Sequence, residues 1–352
     1  MGRGSVTERE LLDAAREGDE DAFARLVEPH RGLLDAHCYR MLGSVDDAED
    51  AVQDALLRAW RAIARFEGRS SLRTWLYTIA TNVCLKAIER RPKLVLPVDY
   101  GPATDPHEGV APPLVESVWI EPYPDQRLGL AEPLAGPEAR YEQRESVELA
   151  FIAALQVLPA RQRAVLILRD VLGFSGEEVA EALETTPDAV YSALQRAHKS
   201  VDARLPERSQ QATLRALGDD ALREIVDAFV VAWERGDVDA VAAMLTQEAI
   251  IAMPPMPTWY QGRDAVAGFL RRAPLRPGRR WRVVPARASG QLSFGFYRWS
   301  EETRTFAAHD IIVLTMDGAR IAELVAFLEP EAFRHFDLPG EWSDRRSTVR
   351  DH

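Results

Sequence analysis

The stretch FSGEEVAEALETTPDAVYSALQRAHKSV, residues 174–201, decides how the helical half of the chain folds. Ser175 and Glu178 make a capping box, in which each side chain satisfies the other's orphan backbone N–H at a helix start. Val179, Ala180 and Leu183 then fall on one helical face. Thr186 is a second N-cap, and Pro187 sits at the first helical position, where a missing N–H does no harm. Val190, Leu194, Ala197 and Val201 give this second helix a buried stripe, which leaves Thr186, Asp188, Tyr191, Ser192, Gln195, Arg196 and Lys199 outside. Two helices joined by so short a turn form either a helix-turn-helix, whose second helix enters the DNA major groove, or a helical hairpin without DNA.

Upstream, SVDDAEDAVQDALLRAW (residues 44–60) opens on Ser44 and Asp47, an S-x-x-D start. Ala51, Val52, Ala55, Leu56 and Ala59 recur at helical spacing. Asp46, Glu49, Asp50 and Asp54 make an acidic stripe on the same helix, either a solvated face or a docking surface for a basic partner. In FEGRSSLRTWLYTIATNVCLKAIERR (residues 66–91), Trp75, Leu76, Ile79, Ala80 and Val83 supply a core face. Arg69, Arg73, Lys86, Arg90 and Arg91 remain for the outside. Aromatic rings among cations suit single-stranded nucleic acid, since bases stack on rings while phosphates meet the cations. Trp75 is expected in the core and Tyr77 at the surface.

The net charge of −12 argues against a nucleic-acid partner until its distribution is read. Residues 68–93 carry six basic side chains against one acidic, whereas residues 94–137 carry one basic against seven acidic. A local basic stripe can therefore touch DNA while the whole molecule is repelled from it, so binding improves when a partner holds the chain there. Nine of the 22 prolines lie in residues 94–137, which predicts an extended linker. Apolar runs such as residues 311–316 fall far short of the ~18 residues of a membrane span, and the N-terminus has no apolar signal core. A cytoplasmic location is expected. Cys38 and Cys84 lack Cys or His neighbours at metal spacing, so neither disulfides nor a metal site is expected and both read as buried hydrophobes.

The quoted segments of residues 44–91 resemble the core-polymerase-binding and promoter-melting region of bacterial sigma-70-family initiation factors of the extracytoplasmic-function group, over about residues 21–93. The resemblance implies that the acidic helix docks on polymerase through Asp46, Asp47, Asp50 and Asp54. It implies minus-ten promoter contacts from Arg69, Ser70, Ser71, Arg73, Asn82, Lys86 and Arg90. LPARQRAVLILRDVLGFSGEEVAEAL resembles the minus-thirty-five-reading domain of the same family, over about residues 145–205. There the implied DNA contacts are Thr186, Asp188, Tyr191, Ser192, Gln195, Arg196 and Lys199. Glu184 stands where that family usually has a turn glycine, and a left-handed non-glycine residue there costs about 1 kcal/mol. Between the two blocks, WIEPYPD (residues 119–125) reads as an anchor onto polymerase or onto the C-terminal domain, or as a locally collapsed linker.

After residue 213, helices give way to alternating strand-like runs at about residues 281–288, 292–300, 305–316 and 320–328, with Asp317-Gly318 as a tight turn. The order resembles the SnoaL-like family of the nuclear-transport-factor-like cone fold, over about residues 217–336. That implies an α+β cone with a curved antiparallel sheet and a pocket-shaped interior. Met253, Met256, Trp259, Tyr260, Phe294, Phe296 and His309 are the candidate pocket wall. Acid–base enzymes of that fold use Asp or His, and His309 and Asp310 are available. As strand neighbours they are expected to face opposite ways, and so not to form a dyad.

The expected fold is thus multidomain, two all-α sigma domains followed by the cone. Its parts are a polymerase-binding and minus-ten domain (8–93), an acidic Pro-rich linker (94–137), a helix-turn-helix domain (138–206), a short linker (207–216), the cone (217–336) and a tail (337–352). The expected function is a sigma factor that directs core polymerase to promoters, is no enzyme, needs no cofactor and is regulated in cis by the cone. The expected partners are core polymerase, promoter DNA and, within the chain, the cone against the sigma domains or linker, with a small-molecule ligand left open and no membrane. The class-different alternatives are a SnoaL-like cyclase or isomerase fused to a DNA-binding region, and a repressor using the helix-turn-helix alone.

Overall fold

A computed structural model describes residues 7–114, 119–128 and 137–343, with side chains from residue 141 onward in the last stretch. Residues 115–118 and 129–136 of the expected linker, and 344–352 of the expected tail, lie outside the described residues. The chain divides into two units. The first comprises Met1–Lys93, Arg127–Ser146 and Ala150–Leu205, and the second Leu94–Gln126, Val147–Leu149 and Pro206–His352. The acidic linker is therefore shared, its larger part belonging with the C-terminal unit.

In the first unit, α1 (Glu8–Arg16), α2 (Glu20–Val27), α3 (Arg31–Leu42), α4 (Val45–Ala62) and α5 (Leu72–Ile88) build one helical cluster. After α6 (Pro97–Tyr100), a single turn in the second unit, come α7 (Pro137–Glu145), α8 (Leu149–Gln156), α9 (Ala160–Leu166), α10 (Gly176–Ala182) and α11 (Pro187–Asp202). Caps set these boundaries. Ser44 caps α4 by accepting from the Asp47 N–H at 3.2 Å, and Ser71 caps α5 by accepting from the Thr74 N–H at 3.0 Å. Both halves of the Ser175–Glu178 box are formed, at 3.1 and 2.8 Å, and Thr186 caps α11 ahead of Pro187. At Ser44 the box is one-sided, because the Asp47 carboxylate pairs with Arg91 instead.

Glu184 takes the left-handed conformation that the turn demands, with φ 50°, although it is not glycine. The turn still closes, through Thr185 N–H donating to the Ala180 carbonyl at 2.9 Å. The outward set on α11 keeps its register as a result: Asp188, Tyr191, Ser192, Gln195, Arg196 and Lys199 are exposed, while Val190, Ala197 and Val201 are buried.

The core of this unit corrects one expectation. Tyr77 is 1 % exposed, whereas Trp75 is only half-buried against Phe66. Tyr77 is inside because α10 and its entry loop cover it: the ring of Phe174 meets it edge-on at 5.5 Å, as does that of His37 at 5.2 Å. Burying such a ring contributes about 1.5–3 kcal/mol. Local periodicity cannot foresee a cover arriving from residues a hundred positions away. Cys38 and Cys84 are buried free thiols. His37 is also fully buried, bonded to the Thr81 hydroxyl at 2.9 Å, and burial with the nearby Arg40 charge lowers its pKa to about 3.

In the second unit, α12 (Gln210–Arg235) breaks at Gly218, whose φ of 76° only glycine adopts readily, and α13 (Val238–Ala243) leads into the sheet. Seven strands follow: β1 (Leu245–Ala252), β2 (Trp259–Gln261), β3 (Trp281–Ala288), β4 (Gln291–Ser300), β5 (Thr305–Asp317), β6 (Arg320–Phe327) and β7 (Glu341–Ser343). Helix α14 (Arg263–Arg272) lies between β2 and β3. The strand order is β2-β1-β6-β5-β4-β3, with β7 on the start of β5. The sheet is mixed, since β1 pairs parallel to β6, where the sequence suggests only antiparallel pairing. Such a pair joins strands far apart in sequence, so no hairpin signal announces it. Phe229 and Trp233 of α12 pack on Phe294 and Phe296 of β4, with centroids 4.8–4.9 Å apart for the closest pairs.

Two outcomes follow. Glu184→Gly should raise stability by about 0.5–1 kcal/mol, read as a higher denaturation midpoint, because the left-handed strain disappears. His37 has a folded-state pKa below its ordinary value of 6.5, so the unfolded chain takes up the proton first. Its contribution to stability is complete above pH about 6.5 and is lost as pH falls towards 3. Melting temperatures compared between pH 7 and 5 should therefore fall less in His37→Gln than in the parent chain.

Candidate nucleic-acid interface and linker clamp

Along α4 the four acidic candidates for docking are unequal. Asp46 and Asp50 are exposed. Asp47 pairs with Arg91, and Asp54 is held by Arg58 of the next turn at 2.7 Å. Glu49, in the same stripe, pairs with Arg127. Leu57, 55 % exposed beside this stripe, is an apolar addition that the charge pattern alone does not reveal.

The minus-ten candidates split in a similar way. Arg69 is 82 % exposed, with a salt bridge to Glu67 at 2.6 Å. Lys86 and Arg90 are exposed, Ser70 and Asn82 half-buried, and Ser71 caps α5. Arg73 is different. Its guanidinium donates to the Leu172 carbonyl at 2.8 Å and lies 4.6 Å from the centroid of the Phe174 ring and 5.4 Å from that of Tyr77. Beside it, the Thr74 hydroxyl donates to Glu178 at 3.2 Å.

The two helical blocks are joined more deeply by Arg40 and Arg163, which sequence reading passes over. Arg40 donates to the Ser146 hydroxyl at 2.7 Å, and Arg163 donates to the carbonyls of Met41, Gln156 and Leu158. Arg163 is 4 % exposed, and burial lowers its pKa to about 10, still far above neutrality. Buried charges whose donors reach carbonyls and a hydroxyl on other segments cross-link the helices that supply those acceptors.

In the second unit, residues 101–114 run along the segment MPPMPTWYQ (residues 253–261) as a strap. Thr104 N–H donates to the Trp259 carbonyl at 2.8 Å, and Leu114 N–H to that of Pro255 at 3.2 Å. Ala111 N–H donates to the Thr258 hydroxyl at 2.8 Å. In return, the Trp259 indole donates to the Gly101 carbonyl at 2.9 Å, and the Tyr260 hydroxyl to that of Glu108 at 3.2 Å. Farther along, the Trp119 indole donates to the Pro255 carbonyl at 2.8 Å. Tyr123 and Ser289 exchange hydrogen bonds, and Asp125 accepts from Gly290 N–H at 2.8 Å. WIEPYPD is thus an anchor onto the C-terminal domain.

The candidate pocket wall needs correction. A cavity of about 170 Å³ lies inside the cone, lined by Met253, Met256 and His309 of the expected set, together with Trp233, Trp281, Arg279, Asp310 and Val110 of the strap. Trp259 and Tyr260 are outside the lining because they serve the strap. Phe294 and Phe296 are core, at 1 % and 0 % exposure.

His309 and Asp310 both line the cavity, against the expectation of opposite faces. The reason is a β-bulge: Phe296 pairs with Asp310 and Tyr297 with Ala308, so His309 is an extra residue on β5. A bulge turns a side chain out of the strand's alternation. The imidazole Nδ1 lies 2.7 Å from Asp310 Oδ1, and Arg298 Nη1 lies 3.3 Å from Nε2. An arginine can only donate, so Nε2 accepts and the ring proton sits on Nδ1, donated to Asp310. Burial pushes the Asp310 carboxyl above its ordinary value, against the pull of His309 and Arg298.

Three family profiles match along the chain: Sigma-70 region 2 at residues 26–93, Sigma-70, region 4 at 148–201, and the SnoaL-like domain at 226–324. The ECF RNA polymerase sigma factor SigG of Mycobacterium tuberculosis is 41 % identical over 350 residues, covering 96 % of this chain and 92 % of that one. The ECF RNA polymerase sigma-E factor of Escherichia coli is 28 % identical over 56 % of this chain and 93 % of its own. The crystal structure of the Mycobacterium tuberculosis extracytoplasmic function sigma factor SigJ shares the fold, with TM-score 0.55 and 21 % identity over 90 % of this chain and 99 % of that one.

Loss of the Trp119 donor should loosen the strap. In Trp119→Phe, the hydrogen bond lost is worth about 1 kcal/mol, so the Ala111 and Leu114 amides should exchange with solvent about fivefold faster. Unchanged exchange would mean that the anchor does not hold the strap. With 41 % identity to one such factor along nearly its full length, the chain belongs to the extracytoplasmic-function family of RNA polymerase sigma factors.

Proposed function

We propose that this sigma factor holds core polymerase through the acidic face of α4 and reads the minus-thirty-five element with the outer face of α11. The minus-ten element is then met by Arg69, Ser70, Ser71, Arg73, Asn82, Lys86 and Arg90. The observation that carries this reading is α11, which exposes Asp188, Tyr191, Ser192, Gln195, Arg196 and Lys199 while burying its opposite face. That is the arrangement a groove-reading helix needs. On α4, Asp46, Asp47, Asp50 and Asp54 supply the charge for a basic partner, with Leu57 as an apolar centre. The protein acts in the cytoplasm and catalyses no reaction of its own. Among the described residues no helix is long and apolar enough to cross a membrane.

The cone regulates in cis through the strap. A linker that must lie along polymerase cannot do so while its N–H groups are spent on Trp259, Thr258 and Pro255. The functional partition therefore assigns 8–93 to polymerase and minus-ten contacts, 138–206 to the minus-thirty-five element, and 217–336 to control of the intervening chain.

Transcription from a cognate promoter with core polymerase and the full chain tests each part. Arg196→Ala should lower output about 5- to 100-fold and flatten its dependence on the minus-thirty-five sequence, as expected for one base-edge contact worth about 1–3 kcal/mol. Asp50→Lys should weaken core binding in a salt-dependent way. No promoter-dependent transcription with any core polymerase would defeat the sigma reading. The double variant Trp119→Phe, Thr258→Val should raise output at limiting protein, and an unchanged output would defeat only the regulatory part.

A further inference from the structure

The cavity beneath the strap is lined on one side by Val110, a half-exposed residue that the chain contributes from outside the cone. Its size limits its occupant. At about 170 Å³ it is well below the ~300–1,000 Å³ of sites for drug-sized ligands, and near the ~150 Å³ of an apolar cavity that holds one benzene ring. Trp233, Trp281, Phe269 and the two methionines make a wall suited to a flat apolar body.

Charge limits the occupant further. Arg279 lines the cavity and is partly buried, with Arg276 and Arg298 close enough to disfavour its charge further. Among the described residues no ion pair is formed by any of these three arginines. The acid in the lining, Asp310, is already engaged by His309, which in turn accepts from Arg298. Arg279 and Arg298 thus outnumber Asp310, the carboxylate of the lining, which is already bonded to His309.

We propose that the cavity is a receptor site for a single-ring organic carboxylate, whose ring lies among Trp233, Trp281 and Phe269 and whose carboxylate meets Arg279, and that its binding fastens the strap. The coupling follows from Val110. A molecule filling the cavity touches this side chain only while residues 101–114 are in place, so it binds the strapped form in preference and shifts the population towards it. The occupant is thus a signal that holds the linker on the cone. This consequence rests on the regulatory role proposed above, whereas the binding itself does not.

Benzoate is the probe, benzamide its uncharged counterpart, and the full chain the sample. Binding is read from tryptophan fluorescence, and strap release from hydrogen exchange at the amides of Thr104, Ala111 and Leu114, whose acceptors all lie on the cone. At benzoate one hundred times its dissociation constant, these amides should exchange about 100-fold more slowly. Benzamide should give a much smaller effect. Arg279→Gln should abolish the benzoate effect while leaving exchange without ligand unchanged, and Arg279→Lys should restore part of it. Fluorescence and exchange that do not respond to benzoate up to its solubility limit would overturn the proposal, as would faster exchange. Equal protection by benzamide, or protection that survives Arg279→Gln, would overturn the assignment of an anion. These readouts use no polymerase, so their failure is distinct from failure of the sigma reading, which transcription without benzoate decides.

Discussion

Backbone hydrogen bonding is the constraint on which the C-terminal unit turns. A segment with nine prolines in 44 residues keeps helix to short turns among its described residues, so N–H groups such as those of Thr104, Ala111 and Leu114 need acceptors from elsewhere. The cone offers the missing acceptors, from a stretch that is itself irregular: the carbonyls of Pro255 and Trp259 and the hydroxyl of Thr258. Two poor formers of secondary structure complete each other. Proline appears on both sides of this contact, where it removes donors that would compete for these carbonyls.

The first unit solves a comparable problem with charge. Its helices leave carbonyls unpaired at the ends of α3 and α8, and Arg163 collects them. A guanidinium with five donors in a fixed plane suits that role better than a lysine would. Burial of such a group costs free energy that the hydrogen bonds of its two terminal nitrogens offset, so Arg163 ties the two helical blocks together.

Much of this could be read in the sequence, and what could be read was local. The Ser175–Glu178 box, the Thr186 and Pro187 start, and the outward set on α11 depend on residues within a few positions of one another. The same holds for the β5–β6 hairpin at Gly318. Features that depend on distant partners escaped: Tyr77 is buried by Phe174, β1 finds β6 in parallel, and Trp259 turns to Gly101 instead of a pocket. The bulge at His309 is the sharpest case. Strict strand alternation places His309 and Asp310 apart, yet one extra residue opposite β4 brings both to the cavity. Nothing in AAHDIIVL signals that extra residue, because a bulge is defined by the register of the neighbouring strand.

Arg73 carries a last consequence. In the free chain its guanidinium is spent on the Leu172 carbonyl and the Phe174 ring, at the entrance to the helix-turn-helix. A side chain so engaged is available to a nucleotide only in the fraction of molecules where that contact is broken, and apparent affinity for DNA falls in proportion to that fraction. On the minus-ten role proposed for Arg73, whatever draws α10 away from α5 would strengthen promoter binding without touching DNA. On the same reading, polymerase would make this chain a better reader without adding a single base contact, simply by freeing Arg73 from the Phe174 loop.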